Sequence, residues 1–158
     1  MRLRWFFAAL LPISFAACLS GSDSVTYPNI AIENTNFATT LGVNLAASTK
    51  TASGLYYREV AVGTGKTAVP GDSVNVYYSG YLATGFEFDS TRAPTTPYGF
   101  KTAANRNIPG FDEGVIGMKV GGTRQLIMPP ALAYGASGNR AIPPNSVLVF
   151  NVQLVGAP

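Results

Sequence analysis

The chain contains no histidine and only one cysteine, Cys18, among its 158 residues. The common zinc sites need several His or Cys ligands, an intramolecular disulfide needs two cysteines, and a Ser or Cys nucleophile is usually activated by a histidine. The sequence therefore excludes these three kinds of chemistry. A functional site in this chain has to be built from carboxylates, hydroxyls, backbone amides and apolar surface.

Charged residues are also scarce, at 12% of the chain, whereas 47% of the residues are hydrophobic, a balance that argues against disorder. The formal net charge is +3, but Arg2 and Arg4 lie in a segment that we expect to be removed. Without these two arginines, nine basic residues face eight acidic ones. A chain so close to neutral predicts no nucleic-acid partner.

The first residues have the layout of a secretory signal. Two arginines precede an apolar run over residues 5–11, and two small residues follow at positions 16 and 17. The apolar run is too short to span a bilayer comfortably. We therefore predict a signal peptide over residues 1–17 and an exported protein.

The tetrapeptide Phe15-Ala16-Ala17-Cys18 resembles a bacterial lipobox, with Phe where that motif usually has Leu. We predict that Cys18 is lipidated and anchors the chain to a membrane. The residue after it is Leu19 rather than Asp, which favours a periplasmic lipoprotein of the outer membrane. The alternative is ordinary cleavage before Cys18, which would leave a free thiol open to oxidation.

Residues 18–53 are rich in Ser, Thr, Asn and Ala and have no sustained hydrophobic period. This composition predicts a flexible tether, with a short helical turn or strand between Phe37 and Leu45. The segment is too short for a helical dimerisation arm, so we expect a monomer.

From Gly54 onward, short apolar segments alternate with Gly and Pro, which is typical of strands joined by turns. The pattern predicts strands over residues 55–62, 74–81, 86–88, 123–128 and 147–155. Between residues 108 and 118, Phe111, Val115 and Met118 follow the three-four spacing of one helical face. The sequence thus predicts an α+β domain in which one short helix covers the apolar face of an antiparallel sheet.

Six short motifs follow one another in this part of the chain. They are Val76-Tyr77-Tyr78-Ser79-Gly80, Phe86-Glu87-Phe88-Asp89-Ser90-Thr91, Ile108-Pro109-Gly110-Phe111-Asp112-Glu113-Gly114, Met118-Lys119-Val120-Gly121-Gly122, Ala133-Tyr134-Gly135 and Ile142-Pro143-Pro144-Asn145. In this order, and with nearly ungapped spacing, they resemble the FKBP-type peptidyl-prolyl cis-trans isomerases. The resemblance implies a five-stranded antiparallel half-barrel wrapped around one short α-helix, in a domain over residues 54–158.

The resemblance also implies a pocket for proline between the helix and the sheet. It assigns Phe111 to the pocket floor and places Asp89 and Tyr134 near the substrate carbonyl, which makes these three the expected catalytic residues. The expected substrate-binding residues are Tyr78, Phe88, Tyr98, Asn107, Ile108, Ile142 and Phe150. Without the motifs, the aromatic residues would be interpreted as core and Asp89 as a turn residue.

Two positions depart from the family pattern. Many members pair the Asp with an Arg a few residues later, and the matching residue here is Pro94. Asp89 therefore needs another partner, for which Arg92 and a tyrosine hydroxyl are the candidates. A flap position that is often His is Asn139 here, in a loop that is one residue shorter.

Rotation about a prolyl peptide bond breaks no covalent bond, so it needs no cofactor and no metal. We predict a peptidyl-prolyl isomerase, or rotamase, that helps exported proteins to fold. Its expected partners are unfolded or partly folded proline-containing proteins, with a macrolide as an inhibitory ligand. The alternatives are a non-catalytic chaperone or adaptor that binds proline-containing segments, and a carrier of small apolar ligands.

Overall fold

Seven strands form one antiparallel sheet in the computed structural model, which describes residues 27–158. Their order is β1-β2-β6-β7-β3-β4, and β5 also pairs with β3. The predicted signal peptide and Cys18 lie outside the described residues. The strands are β1 (Thr49–Lys50), β2 (Tyr56–Ala61), β3 (Ser73–Leu82), β4 (Glu87–Thr91), β5 (Tyr98–Lys101), β6 (Thr123–Met128) and β7 (Leu148–Gly156).

Strand β3 is long enough to pair with two successive partners along one edge. Its first half pairs with β5, with Val76 opposite Tyr98, and its second half pairs with β4, with Tyr78 opposite Thr91. The chain between β4 and β5 leaves the ladder over residues 92–97. This arrangement brings the end of β4 and the start of β5 together beside Tyr78, in the middle of β3.

The single α-helix of the described residues, α1 (Pro109–Val115), begins with proline at its first position. Proline suits this position because the first helical N–H has no partner within the helix. The helix ends two residues before Gly117, which has a left-handed φ of 83°. The guanidinium of Arg124 donates hydrogen bonds to the carbonyl oxygens of Gly114 (2.8 Å) and Ile116 (3.0 Å), which would otherwise be buried without partners.

The helix lies close to β6 because it presents glycine to that strand. A Cβ atom on Gly114 would overlap the side chain of Leu126, and one on Gly110 would come within 2.9 Å of the sulfur of Met128. Leu126 and Met128 alternate along the strand, so both point to the same face of the sheet. The apolar core between helix and sheet therefore forms at short range, and it includes one whole face of β7.

The structure confirms the predicted fold class, an antiparallel sheet with one short α-helix. It has two more strands than expected, because β1 has only two residues and β5 only four, which is too short for a period-two pattern to stand out. The predicted helix over residues 108–118 was too long at its C-terminal end, since Ile116 is already extended. None of the helices in residues 27–158 is long and apolar enough to cross a membrane.

Residues 32–50, here called the N-terminal arm, pack on the outer face of the sheet. The arm contains three short 3-10 helices, at Ile32–Asn34, Thr39–Leu41 and Leu45–Ala47, followed by β1. Ile32 and Leu41 are buried there against a second apolar cluster. The other buried members of that cluster are Tyr56, Ile127, Val147 and Val149.

Polar contacts also hold the N-terminal arm in place. Gln125, buried in β6, donates a hydrogen bond of 2.8 Å to the carbonyl oxygen of Leu41. The carboxylate of Glu33 accepts hydrogen bonds from Lys50 (2.6 Å) and from the hydroxyl of Tyr56 (2.5 Å). These contacts correct the expectation of a flexible tether for this segment. Its few apolar residues are enough because the sheet offers them an apolar surface.

Replacing the buried Leu41 by alanine should lower the free energy of unfolding by about 2 kcal/mol, since the change leaves a cavity between arm and sheet. Thr39→Ala, at an exposed position of the same 3-10 helix, is the matched control and should change stability by less than about 0.5 kcal/mol. Urea unfolding followed by circular dichroism measures both. Equal stability of the two variants would show that the arm does not pack as described.

Candidate active site

A cavity of about 640 Å³ opens between α1, the neighbouring strands and two loops. Nine of the ten site residues predicted from the sequence line it, whereas Ile142 does not: its side chain is buried in the same apolar core as Phe111. Three further lining residues were not predicted: Arg106, Pro109 and Ala133. The full lining comprises Tyr78, Phe88, Asp89, Tyr98, Arg106, Asn107, Ile108, Pro109, Phe111, Ala133, Tyr134 and Phe150.

The floor of the cavity is aromatic. Phe111 and Phe150 are each 4% exposed, and their ring centroids lie 5.4 Å apart at a steep angle. Tyr78 meets Phe111 edge-to-face at 5.6 Å, and Phe88 meets Phe150 in the same way at 5.5 Å. Such edge-to-face contacts fix the rings relative to one another. The result is a rigid apolar floor at the bottom of an open pocket.

Gly80 makes room for this arrangement. It lies opposite both Phe150 and Asp89 in the sheet, and a Cβ atom on it would come within 2.7 Å of the rings of Phe150 and Phe88. Any larger residue would therefore displace these two rings. Phe100, in the unpredicted β5, extends the cluster by stacking on Tyr98 at 5.5 Å.

Asp89 is held at the rim of the cavity by a tyrosine. The Tyr78 hydroxyl donates a hydrogen bond of 2.6 Å to Asp89 Oδ2. Burial raises the pKa of Tyr78 well above its ordinary value, and the hydrogen bond to the Asp89 carboxylate raises it further. Of the two partners considered for Asp89, the structure therefore has the hydroxyl, since Arg92 pairs with Glu87 instead.

Hydrogen bonds also fix the loop that leads into α1. The Tyr98 hydroxyl donates to Asn107 Oδ1 (2.7 Å), and Asn107 Nδ2 donates to Asp112 Oδ1 (3.1 Å). Asp112 is 6% exposed, and its Oδ2 has no hydrogen-bond partner among the described residues. Asn107 thus links a strand to the helix across the pocket wall.

Two donors on the lining are not used within the described part of the chain. Neither the backbone N–H of Ile108 nor the Tyr134 hydroxyl hydrogen-bonds to another described residue. Both groups belong to residues that line the cavity, so both are available to a ligand. Over residues 27–158, no group of three or more acidic or Cys side chains is arranged to hold a metal ion.

Residues 64–155 match the model of the family described as FKBP-type peptidyl-prolyl cis-trans isomerase. The chain is 40% identical over 129 residues to the peptidyl-prolyl cis-trans isomerase FKBP15-3 of Arabidopsis thaliana, an alignment that covers 80% of this chain and 90% of the plant protein. It is 42% identical over 110 residues to FK506-binding protein 4 of Gibberella zeae, covering 70% of this chain and 22% of the fungal protein. The chain thus spans about a quarter of the length of several curated relatives that it matches.

Among solved structures, the chain is similar to FkpA from Escherichia coli, with a TM-score of 0.64 and 40% sequence identity. That match covers 71% of this chain and 52% of the Escherichia coli chain. At this identity the likeness extends to sequence as well as to fold.

The raised pKa of Tyr78 predicts a pH dependence of stability. An unfolded tyrosine titrates near pH 10, so the contribution of the protonated Tyr78 is complete below that pH and is lost as pH rises toward the folded-state pKa. The free energy of unfolding should therefore fall above about pH 10, and Tyr78→Phe should make this fall less steep. Asp89→Asn, which keeps an acceptor but removes the charge, should end this fall at a lower pH than in the wild type, because burial alone still raises the pKa of Tyr78. Urea unfolding at several alkaline pH values measures the free energy of unfolding of each protein. The same dependence of this free energy on pH in all three proteins would contradict the prediction.

Proposed function

Because the chain belongs to the FKBP-type peptidyl-prolyl cis-trans isomerase family, we propose that it catalyses cis–trans rotation about the peptide bonds that precede proline. The observation that carries this proposal is the open pocket with an aromatic floor at Phe111 and Phe150 and polar groups at its rim. A pyrrolidine ring is small and apolar, so it suits such a floor. The neighbouring peptide groups of a substrate would meet the polar rim.

The reaction is slow in water because resonance gives the C–N bond partial double-bond character, with a barrier of about 18–20 kcal/mol. In the twisted transition state this resonance is lost. A catalyst therefore has only to bind the twisted amide more tightly than the planar one. This requirement is compatible with a chain that has no histidine.

The aromatic floor supplies the first part of this preference. Phe111 and Phe150 are almost completely buried, so a proline ring placed on them leaves little room for water. The planar, resonance-stabilised amide is the more polar of the two states, so it loses more favourable hydration when water is excluded. The twisted amide is favoured as a consequence.

The polar groups supply orientation. The Ile108 N–H and the Tyr134 hydroxyl would hold the peptide on the two sides of the rotating bond, so that one side turns relative to the other. Asp89 would act electrostatically near the carbonyl carbon while Tyr78 holds its carboxylate in place. No proton is transferred in this mechanism.

Wild-type protein should accelerate cis–trans exchange in a short Xaa-Pro peptide, measured by NMR exchange spectroscopy. An acceleration of roughly 10⁴-fold corresponds to about 5.5 kcal/mol of barrier lowering. Phe111→Ala and Asp89→Val should each lower kcat/KM at least about tenfold, the first by removing the floor and the second by removing the rim charge. Thr39→Ala on the N-terminal arm is the control and should keep wild-type activity.

Circular dichroism of each variant separates loss of activity from loss of fold. Because Asp89 is exposed, its replacement should leave the fold intact. If cis–trans exchange of the peptide were no faster with the wild-type protein than in buffer alone, the proposed isomerase activity would be contradicted. Peptide binding without exchange would then favour a non-catalytic chaperone or adaptor. Binding of hydrophobic small molecules without peptide binding would favour a carrier.

We further propose that the substrates are unfolded or partly folded exported proteins, because prolyl isomerisation limits the rate of many folding reactions. A macrolide that fills the aromatic pocket would compete with them. The proposed organisation is a signal peptide over residues 1–17, a segment over residues 18–53 that begins with a lipidated Cys18, and an isomerase domain over residues 54–158. The protein would act as a monomer in the periplasm, on the outer membrane.

Lipidation of Cys18 is tested by expressing the full chain in a Gram-negative bacterium. Mass spectrometry of the membrane fraction should find a protein that begins at Cys18 and carries acyl chains, since two or more chains are needed for stable anchoring. Cys18→Ser should move the protein to the soluble fraction without changing the isomerase activity. Soluble wild-type protein with a free Cys18 thiol would contradict the anchor and leave the proposed activity unaffected.

A further inference from the structure

Two of the twelve residues that line the pocket carry a charge, and they differ in how that charge is used. The carboxylate of Asp89 accepts the hydroxyl of Tyr78 at 2.6 Å. The guanidinium of Arg106 makes no hydrogen bond, ion pair or aromatic contact with any other described residue. The pocket thus has one satisfied anion and one available cation.

Several basic residues of the protein are paired, whereas Lys101, Lys119 and Arg140 resemble Arg106 in having no such contact among the described residues. Arg124 bonds to Glu59 and to the end of α1, Arg92 pairs with Glu87, and the amine of Lys50 lies 2.6 Å from Glu33. An exposed, solvated arginine is common on protein surfaces, and exposure alone would carry no function. What distinguishes Arg106 is that its side chain lies on the pocket lining.

The backbone that carries Arg106 is held by its neighbour. Asn107 is bonded on one side to Tyr98 (2.7 Å) and on the other to Asp112 (3.1 Å), which is buried at the start of α1. The next residue, Ile108, has the free N–H on the pocket wall. Arg106 precedes that N–H by two residues and lines the same pocket, so a substrate bound there would lie beside the segment that carries the guanidinium.

We propose that Arg106 is a specificity-determining residue that favours substrates with Glu or Asp next to the proline. This inference rests on the proposed function and names a preference within the same site. A guanidinium offers planar, paired donors that match a carboxylate, and the bound peptide would exclude part of the solvent around the pair. Asp89 and Arg106 form no ion pair with each other, and an acidic side chain near Asp89 would meet a like charge, so the preferred acid is the one that lies nearer to Arg106.

The test uses three matched peptides with Glu, Gln or Lys next to proline, placed before it in one series and after it in the other. NMR exchange spectroscopy measures kcat/KM without a coupling protease, whose own charge preference would interfere. In at least one series, wild-type protein should prefer Glu to Lys by about twofold to fivefold, as expected for an exposed ion pair at low salt. The preference should weaken in about 1 M salt, where the screening length is only about 3 Å.

Arg106→Gln should abolish this preference, and Arg106→Glu should reverse it. Lys119→Glu, an exposed change outside the pocket lining, alters the net charge equally and should leave the preference unchanged. A Glu-to-Lys ratio that is the same in wild type and Arg106→Glu, in both series, would overturn the inference. If cis–trans exchange of the Gln peptides were not accelerated at all, the proposed isomerase activity would be wrong. The dissociation constants of the same peptides would then still decide whether Arg106 selects an acidic residue next to proline.

Discussion

The close packing of α1 on β6 is the constraint on which the pocket depends. Gly110 and Gly114 leave no side chain between the helix and the strand, so the helix approaches until it meets Leu126 and Met128. At that distance Phe111, on the same helix, reaches the ring of Phe150 on β7. A helix held further from the sheet would separate these rings and open the floor to water.

The site combines an apolar floor with a sparsely charged rim. The rings at the bottom fix one another through edge-to-face contacts, while the hydroxyl of Tyr78 connects the floor to the carboxylate of Asp89. The hydroxyl stays protonated because burial and the carboxylate both raise the pKa of Tyr78. In the proposed mechanism the apolar floor excludes water, Asp89 acts on the substrate carbonyl, and Arg106 selects among substrates.

The N-terminal arm shows where composition misleads. Its abundance of small polar residues is typical of a tether, yet Ile32 and Leu41 are buried on the outer face of the sheet. The sequence of the sheet strands does contain a sign that the N-terminal arm packs on them. Val149 in β7 lies on the opposite face from Leu148 and Phe150 and pairs with Ile127 of β6, so this part of the outer face is apolar and requires a covering element.

The amino-acid sequence was enough to predict the fold class and to point to most of the residues around the pocket. Period-two strands and one three-four spaced helix predicted the fold class, and the family resemblance of six ordered motifs implied ten site residues, nine of which are among the twelve that line the cavity. Which side chain holds Asp89 and where the arm packs emerged only from the three-dimensional arrangement. These outcomes depend on distances between residues that are far apart in the chain, and no local pattern encodes them.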